Sequence, residues 1–179
     1  MTGLSIGSLD WAPAVDHPDL LAPAVAAFLT HWPQAHEVRV APIDPGLADT
    51  AAFCDRYSVA LEASSNCVIV EGRRGEVTKR AACLVLATDR ADVNGVVRRH
   101  LDARKASFAA MEQTVADTGM EYGGITPLGL PSSWPVLVDD AVAGVDLAVV
   151  GSGLRRSKLA LPGALLAQLP TAETITLRL

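Results

Sequence analysis

The 179-residue chain is half hydrophobic and one-fifth charged, which is enough apolar material for a core and too much for intrinsic disorder. Fifteen basic side chains stand against twenty acidic ones, a formal charge of −5, and aromatic residues make up only 4 %. Together these exclude a surface that grips nucleic acid over a long footprint or stacks a long single strand, so any RNA contact has to be small and local. The longest apolar stretch, Leu20 to Leu29, falls short of the roughly 20 residues of a membrane span and contains Pro23. The first basic residue is Arg39, so the positive segment of a secretory leader is missing and a soluble, cytoplasmic protein of one domain is expected.

In chain order, Pro23 followed by Ala24, Val25, Ala27, Phe28 and Leu29 predicts a helix that ends at Trp32-Pro33. Val38 and Val40 place a short strand over Glu37 to Val40. A proline-rich loop from Ala41 to Gly46 leads to a helix from about Asp49 to Tyr57, with Asp49 or Thr50 as N-cap. Cys67 to Glu71 and Val77 to Leu86 read as the two strands of a hairpin that turns at Gly72-Arg73-Arg74-Gly75. Thr88 or Asp89 then opens a helix to about Leu101, with Val93, Val96, Val97 and Leu101 as its buried stripe.

The second half continues with a strand over Lys105 to Phe108 and a helix over Ala109 to Thr118, stopped by Gly119. Glu121 to Pro131 holds too many glycines and prolines for a regular element. Strands are expected at Val136 to Val138, Leu147 to Val150, near Leu159 to Leu161, and at Thr174 to Leu177. Gly151 to Ser157 forms a turn, and Pro162 suits the first helical position of Gly163 to Leu169. Hairpins with irregularly placed helices point to a mixed or antiparallel sheet rather than a parallel one.

Residues 1–50 carry six acids and a single base, Arg39, while the remainder balances. The cysteines, Cys54, Cys67 and Cys83, form no CxxC pair, and His17, His31, His36 and His100 form no ligand motif, so reduced thiols and no metal are expected. Cys67 lies on an apolar strand with no histidine near it in sequence, which favours packing over a nucleophile's role. His100 reads as a cation at a helix C-terminus, and Asp139-Asp140 as a solvated cap. Two glycine-bearing segments could carry chemistry. In Gly123 to Pro131, paired glycines let a ligand approach the main chain, Thr126 adds a hydroxyl and Pro127 stiffens the loop; a tight connection beside a sheet edge is the plainer alternative. In Gly151 to Lys158, exposed backbone stands beside Arg155, Arg156 and Lys158, without phosphate-loop spacing; here the plainer alternative is a solvated hairpin turn.

The order of these segments resembles a known family. From Glu37 to Leu179 the chain is similar to the YbaK/EbsC-like proteins, relatives of the editing insertion of bacterial prolyl-tRNA synthetases. Thr50 to Ser65 looks like the family's helix and linker, and Asn66-Cys67-Val68-Ile69-Val70 like its central strand. Gly123-Gly124-Ile125-Thr126-Pro127-Leu128-Gly129 resembles the GGxSPxG loop with Thr126 for serine, and Val149 to Leu161 resembles the glycine-rich hairpin. The resemblance implies an α+β fold with a central mixed, barrel-like β-sheet flanked by helices, residues 1–36 being an N-terminal extension that contains a helix.

It further implies a deacylase that hydrolyses the ester of a mischarged tRNA in trans, with no metal or cofactor. Its partner would be the aminoacyl-adenosine end of tRNA, with an aminoacyl-tRNA synthetase as a second candidate and neither DNA nor membrane. Asn66 would orient substrate, Gly123 and Gly124 would hold the ribose or carbonyl, and Thr126 would support the loop. Pro127, Gly129, Gly151, Gly153 and Lys158 would complete the substrate-binding set. Arg98, Arg99, Arg104 and Lys105 read as a solvated helix face, with contact to the acceptor stem as the alternative. The likeness departs at Asn66, where many members carry a lysine followed by threonine. An amide offers hydrogen bonds roughly half as strong as charge-assisted ones, and Lys79 and Lys158 are the candidates to replace the charge. Two other functions are compatible: a non-catalytic binding module of this fold that recognises an aminoacyl-adenosine-like ligand or a protein partner, and a hydrolase of another small acyl ester.

Overall fold

The computed structural model describes residues 6–179. Two ten-residue strands, β3 (Ser65–Arg74) and β4 (Val77–Leu86), form the central hairpin through a two-residue loop, Gly75-Glu76. Gly75 has φ +60°, as the first position of a primed hairpin turn requires. The turn is therefore tighter than the sequence suggests, and Gly72 stays in the strand opposite Lys79. A β-carbon at Gly72 would come within 2.8 Å of Ala103 Cβ and 3.0 Å of Leu101 Cδ1, so close packing rather than turning explains this glycine.

This hairpin lies inside a five-stranded sheet. Its order is β5 (Lys105–Phe108), β3, β4, β6 (Val136–Asp139) and β9 (Ala172–Ile175), with β6 parallel to both β4 and β9. A second, antiparallel sheet has the order β1 (Ala12–Pro13), β2 (Arg39–Pro42), β8 (Ser157–Leu161) and β7 (Ala148–Gly151). Among the described residues six helices accompany them: α1 (Pro23–Leu29), α2 (Thr50–Tyr57), α3 (Arg98–His100), α4 (Met111–Thr118), α5 (Asp140–Ala143) and α6 (Gly163–Leu166). The fold is α+β around a mixed sheet, and its strands divide between two sheets rather than closing into a barrel. A parallel bridge between Ser64 and Val149 joins the sheets at the start of β3. No helix among the described residues is long and apolar enough to cross a membrane.

Several boundaries move for identifiable reasons. Ala35–Glu37 winds into a 3₁₀ turn, so β2 begins at Arg39, with Val38 and Val40 both wholly buried. The helix expected from Thr88 starts at Val93 as a π-turn running into α3, and Asp92 caps it by accepting from Gly95 N–H at 2.8 Å and Val96 N–H at 3.1 Å. The residues before Asp92 are drawn instead to the C-terminus, where Ala91 pairs with Arg178. Pro162 precedes α6 rather than standing in its first turn.

Asp139 is not a solvated cap. It is wholly buried, and its carboxylate accepts from the N–H groups of Ala141 at 3.0 Å, Leu177 at 2.8 Å and Arg178 at 3.0 Å. These bonds turn the chain away from the sheet after Ile175, which ends β9 two residues sooner than expected. Phe53 and Cys54 of α2 pack with Val149 of β7 and Ala160 of β8 in one apolar cluster. Burying a side chain such as Phe53 contributes about 1.5–3 kcal/mol, and here it fixes α2 against the second sheet.

Candidate functional site

The two sheets separate just beyond the Ser64–Val149 bridge. Continuing that register brings Asn66 abreast of Gly151, and both line a cavity of about 240 Å³. The start of α2 (Asp49, Thr50), Ser65 and Cys67 of β3, Met111 of α4, and Lys158 of β8 supply further walls. Tyr122, Gly123 and Ile125 of the glycine-rich loop close the rest.

The two glycine-bearing segments converge through main-chain contacts. Gly153 N–H donates to the Gly124 carbonyl at 2.7 Å, and Gly124 N–H donates to the Glu121 carbonyl at 3.0 Å. A β-carbon at Gly151 would lie 2.5 Å from Gly124 O and 2.6 Å from Ile125 O, so only glycine permits this approach. Arg155 ties the same segments together, donating from Nη1 to Tyr122 O and from Nη2 to Pro45 O, each at 3.0 Å. Its own N–H donates to Glu121 Oε2 at 2.6 Å. The β7–β8 connection is therefore no solvated turn: Ser152 and Ser157 are wholly buried, with hydroxyl oxygens 2.7 Å apart.

Asn66, Gly123, Gly151 and Lys158 meet at the cavity; Gly124, Thr126, Pro127, Gly129 and Gly153 do not line it. Gly124 and Gly153 spend their amides on the loop contact and hold no free N–H for a ligand. Thr126 is wholly buried with its hydroxyl unpaired, and Gly129, at φ +79°, packs on α1 with its Cβ position 2.6 Å from Ala24 O. Lys79 stands near the turn end of the hairpin, in a different cleft with Arg80 and His100. Among the described residues the N–H groups of Gly123 and Ile125, both of which line the cavity, have no acceptor.

The polar side chains are set by their neighbours. Thr50 Oγ1 donates to Asn66 Oδ1 at 2.6 Å, so the free end of the amide is its NH₂ donor. Lys158 is 8 % exposed; its Nζ donates to Ala48 O at 3.0 Å and lies 5.2 Å from the Phe53 ring centroid. Burial pushes the Lys158 pKa below its usual value, and nearby Arg155 adds to this, while Cys54 and Asp49 oppose it. Asp49, at the N-cap of α2, makes no side-chain bond to the helix and stands exposed at the rim. Ser65 Oγ is buried on the cavity wall without a partner. The Cys67 thiol is pushed up by burial and by Cys83, which suits packing and not nucleophilic attack.

Sequence reading passed over Asp49 and Thr50 as ligand-facing groups, Ser65, and the lacing role of Arg155. For Asp49 and Thr50 a signal existed, because cap residues at a helix start present side chains beyond it. Ser65 and Arg155 depend on contacts across the fold that no local pattern carries.

One protein family, described as the aminoacyl-tRNA editing domain, matches residues 44–169 of the sequence. The chain belongs to that family. No curated protein matches it. Among solved structures, one described provisionally as a trans-editing enzyme for prolyl-tRNA synthetase superposes with a TM-score of 0.74 at 18 % identity, over 88 % of this chain and 96 % of the other. The hypothetical protein APE2540 gives 0.74 at 17 % identity, over 87 % and 99 % of the two chains. A chain from a study of epitope backbone grafting onto scaffold proteins gives 0.75 at 19 % identity, over 88 % and 97 %. At these identities the likeness is one of fold. The editing domain's match begins at Asp44, shortly before α2, and takes in both glycine-bearing segments, so every wall of the cavity lies inside it.

Proposed function

We propose that this editing domain is a deacylase that hydrolyses, in trans, the ester joining a wrong amino acid to the terminal adenosine of tRNA. The observation that carries the reading is a single cavity holding a buried ammonium, Lys158, beside the unpaired amides of Gly123 and Ile125 and the NH₂ of Asn66. These are the donors an ester oxygen needs as it becomes an oxyanion, and each well-placed donor is worth about 2.7–4 kcal/mol in the transition state. Lys158 supplies from across the cavity the positive charge that the position of Asn66 lacks.

The carboxylate of Asp49 accepts a proton from a water that adds to the carbonyl carbon. The bond between that carbon and the ribose oxygen then breaks, and the ribose oxygen leaves with the proton that Asp49 returns. Asn66 orients the carbonyl, held in register by Thr50. A volume of about 240 Å³ that must also admit the ester and the ribose edge favours a small amino-acid side chain. The reading is tested with a panel of tRNAs mischarged with small amino acids. At least one is expected to be deacylated far faster than its uncatalysed rate; a panel in which none is would end the enzyme reading.

A further inference from the structure

The cavity continues away from Asn66. Cys67, Val68, Met111 and Ile125 are shared with a neighbouring apolar cavity of about 260 Å³, which Phe108 and Ala109 extend towards β5. Phe108 in turn borders a wide cleft with Arg73, Arg98, Arg104, Lys105 and Ser107. Three spaces of different chemistry therefore adjoin in sequence: polar at Asn66, apolar behind Phe108, and basic along β5. The strand β5 is the edge of its sheet, paired only with β3, and Phe108 at its end is 65 % exposed.

Of the outer cleft's cations, only Arg73 is neutralised from within. Glu71, the cleft's one carboxylate, pairs with Arg73 at 3.0 Å and Arg80 at 3.1 Å, and Asp102 pairs with Arg74 at 2.6 Å. Burial alone would raise the Glu71 pKa, yet the hydrogen bonds from Arg73 and Arg80 hold it below its usual value. Among the described residues, Arg98, Arg104 and Lys105 join no ion pair. On a chain of formal charge −5 with few aromatics, unpaired cations beside an exposed phenyl ring form a local departure from the composition. A basic groove beside an aromatic face is the arrangement that holds single-stranded nucleic acid: cations track the phosphates and the ring stacks a base.

We propose that the edge strand β5 is the track for the single-stranded 3′ end of tRNA. Arg98, Arg104 and Lys105 hold the phosphates, Phe108 stacks a penultimate base, and the apolar cavity receives the terminal adenine. Phe108 lies opposite Val70, four residues along β3 from Asn66, or roughly 13 Å at strand spacing. That distance separates the stacked base from the ester by about one nucleoside. The identity of the RNA rests on the deacylase reading; the surface itself does not require hydrolysis.

The experiment is fluorescence anisotropy of the whole protein with two uncharged probes, a tRNA and a short single-stranded RNA ending in CCA, titrated with salt. R104Q/K105Q is expected to weaken both roughly tenfold at low salt and to lower the salt slope by about 1.4, since each single-strand phosphate contact contributes about 0.7. F108A is expected to weaken binding roughly fivefold or more, the loss of one stacked base, with the salt slope unchanged. R90Q, at an exposed arginine outside the cleft, serves as the charge control. Variants that bind like R90Q would overturn the proposal, as would a blunt RNA duplex bound as tightly as the CCA strand and indifferent to F108A. If no protein hydrolyses any mischarged tRNA while the binding pattern holds, the deacylase reading falls and the β5 surface stands.

Discussion

The β7–β8 hairpin and the edge strand β5 both bring lysine and arginine to the neighbourhood of one cavity, but they place charge in opposite environments. Lys158 is buried, bonded to the Ala48 carbonyl and surrounded by interlocked main chain. Arg104 and Lys105 are exposed and unpaired. A buried cation acts strongly over a few ångströms on whatever enters the cavity, whereas an exposed one acts weakly, over a Debye length of about 10 Å, and is screened by salt. The pair separates two tasks: acting on the ester and gathering the polyanion that carries it.

The largest effect should come from breaking the interlock. Gly151→Ala places a methyl 2.5 Å from one carbonyl oxygen and 2.6 Å from another, both backbone, which cannot rotate away. Overpacking of this kind costs about 1–3 kcal/mol, and the upper end is expected because the neighbours are main chain. Calorimetry should show Tm lower by roughly 5–10 °C, with deacylation lost on every substrate.

Next comes Lys158→Met, which keeps the apolar stem and removes the charge. Deacylation should fall roughly 100-fold or more, while Tm stays level or rises, because an unpaired buried ammonium opposes folding. The pH dependence sharpens this. Burial lowers the folded pKa of Lys158 below its value in the unfolded chain, so the destabilisation is complete below the folded value. It is relieved as pH rises from there towards the ordinary lysine value of 10.5. Over that alkaline window the wild type should gain stability while losing ammonium-dependent catalysis, and Lys158→Met should show neither trend.

A smaller loss is expected at Asn66. Removing one neutral hydrogen-bonding group in Asn66→Ala should lower kcat/KM about tenfold, in keeping with roughly 1–1.5 kcal/mol, and Thr50→Val, which frees the amide to rotate, should lower it less. The smallest effect on chemistry is expected at β5: R104Q/K105Q should leave hydrolysis of aminoacyl-adenosine unchanged and raise only the KM for tRNA.

Much of the fold was legible in the sequence because its signals are local. The β-branched run before Gly72, the return strand from Val77, Pro23 at a helix start and Gly119 at a helix end each act within a few residues. The misplaced features answer to distant partners. Gly72 looks like a turn glycine but yields to Ala103 and Leu101, and Asp139-Asp140 looks solvated until Leu177 and Arg178 return to bury Asp139. At the site, glycine content marked both loops as exceptional without showing which amides remain free. That depends on Gly153 N–H being taken by the Gly124 carbonyl and Gly124 N–H by the Glu121 carbonyl, while Gly123 and Ile125 find no acceptor.

The central claim is that an acylated adenosine binds where the two sheets part. Amide NMR of the protein titrated with a non-hydrolysable aminoacyl-adenosine, the ester replaced by an amide, tests it directly. The predicted result is shifts concentrated at Gly123, Ile125, Gly151 and the Asn66 side chain. Shifts gathered instead in the larger cleft of about 610 Å³ around Lys79, Arg80 and His100, with the Asn66 region silent, would contradict it.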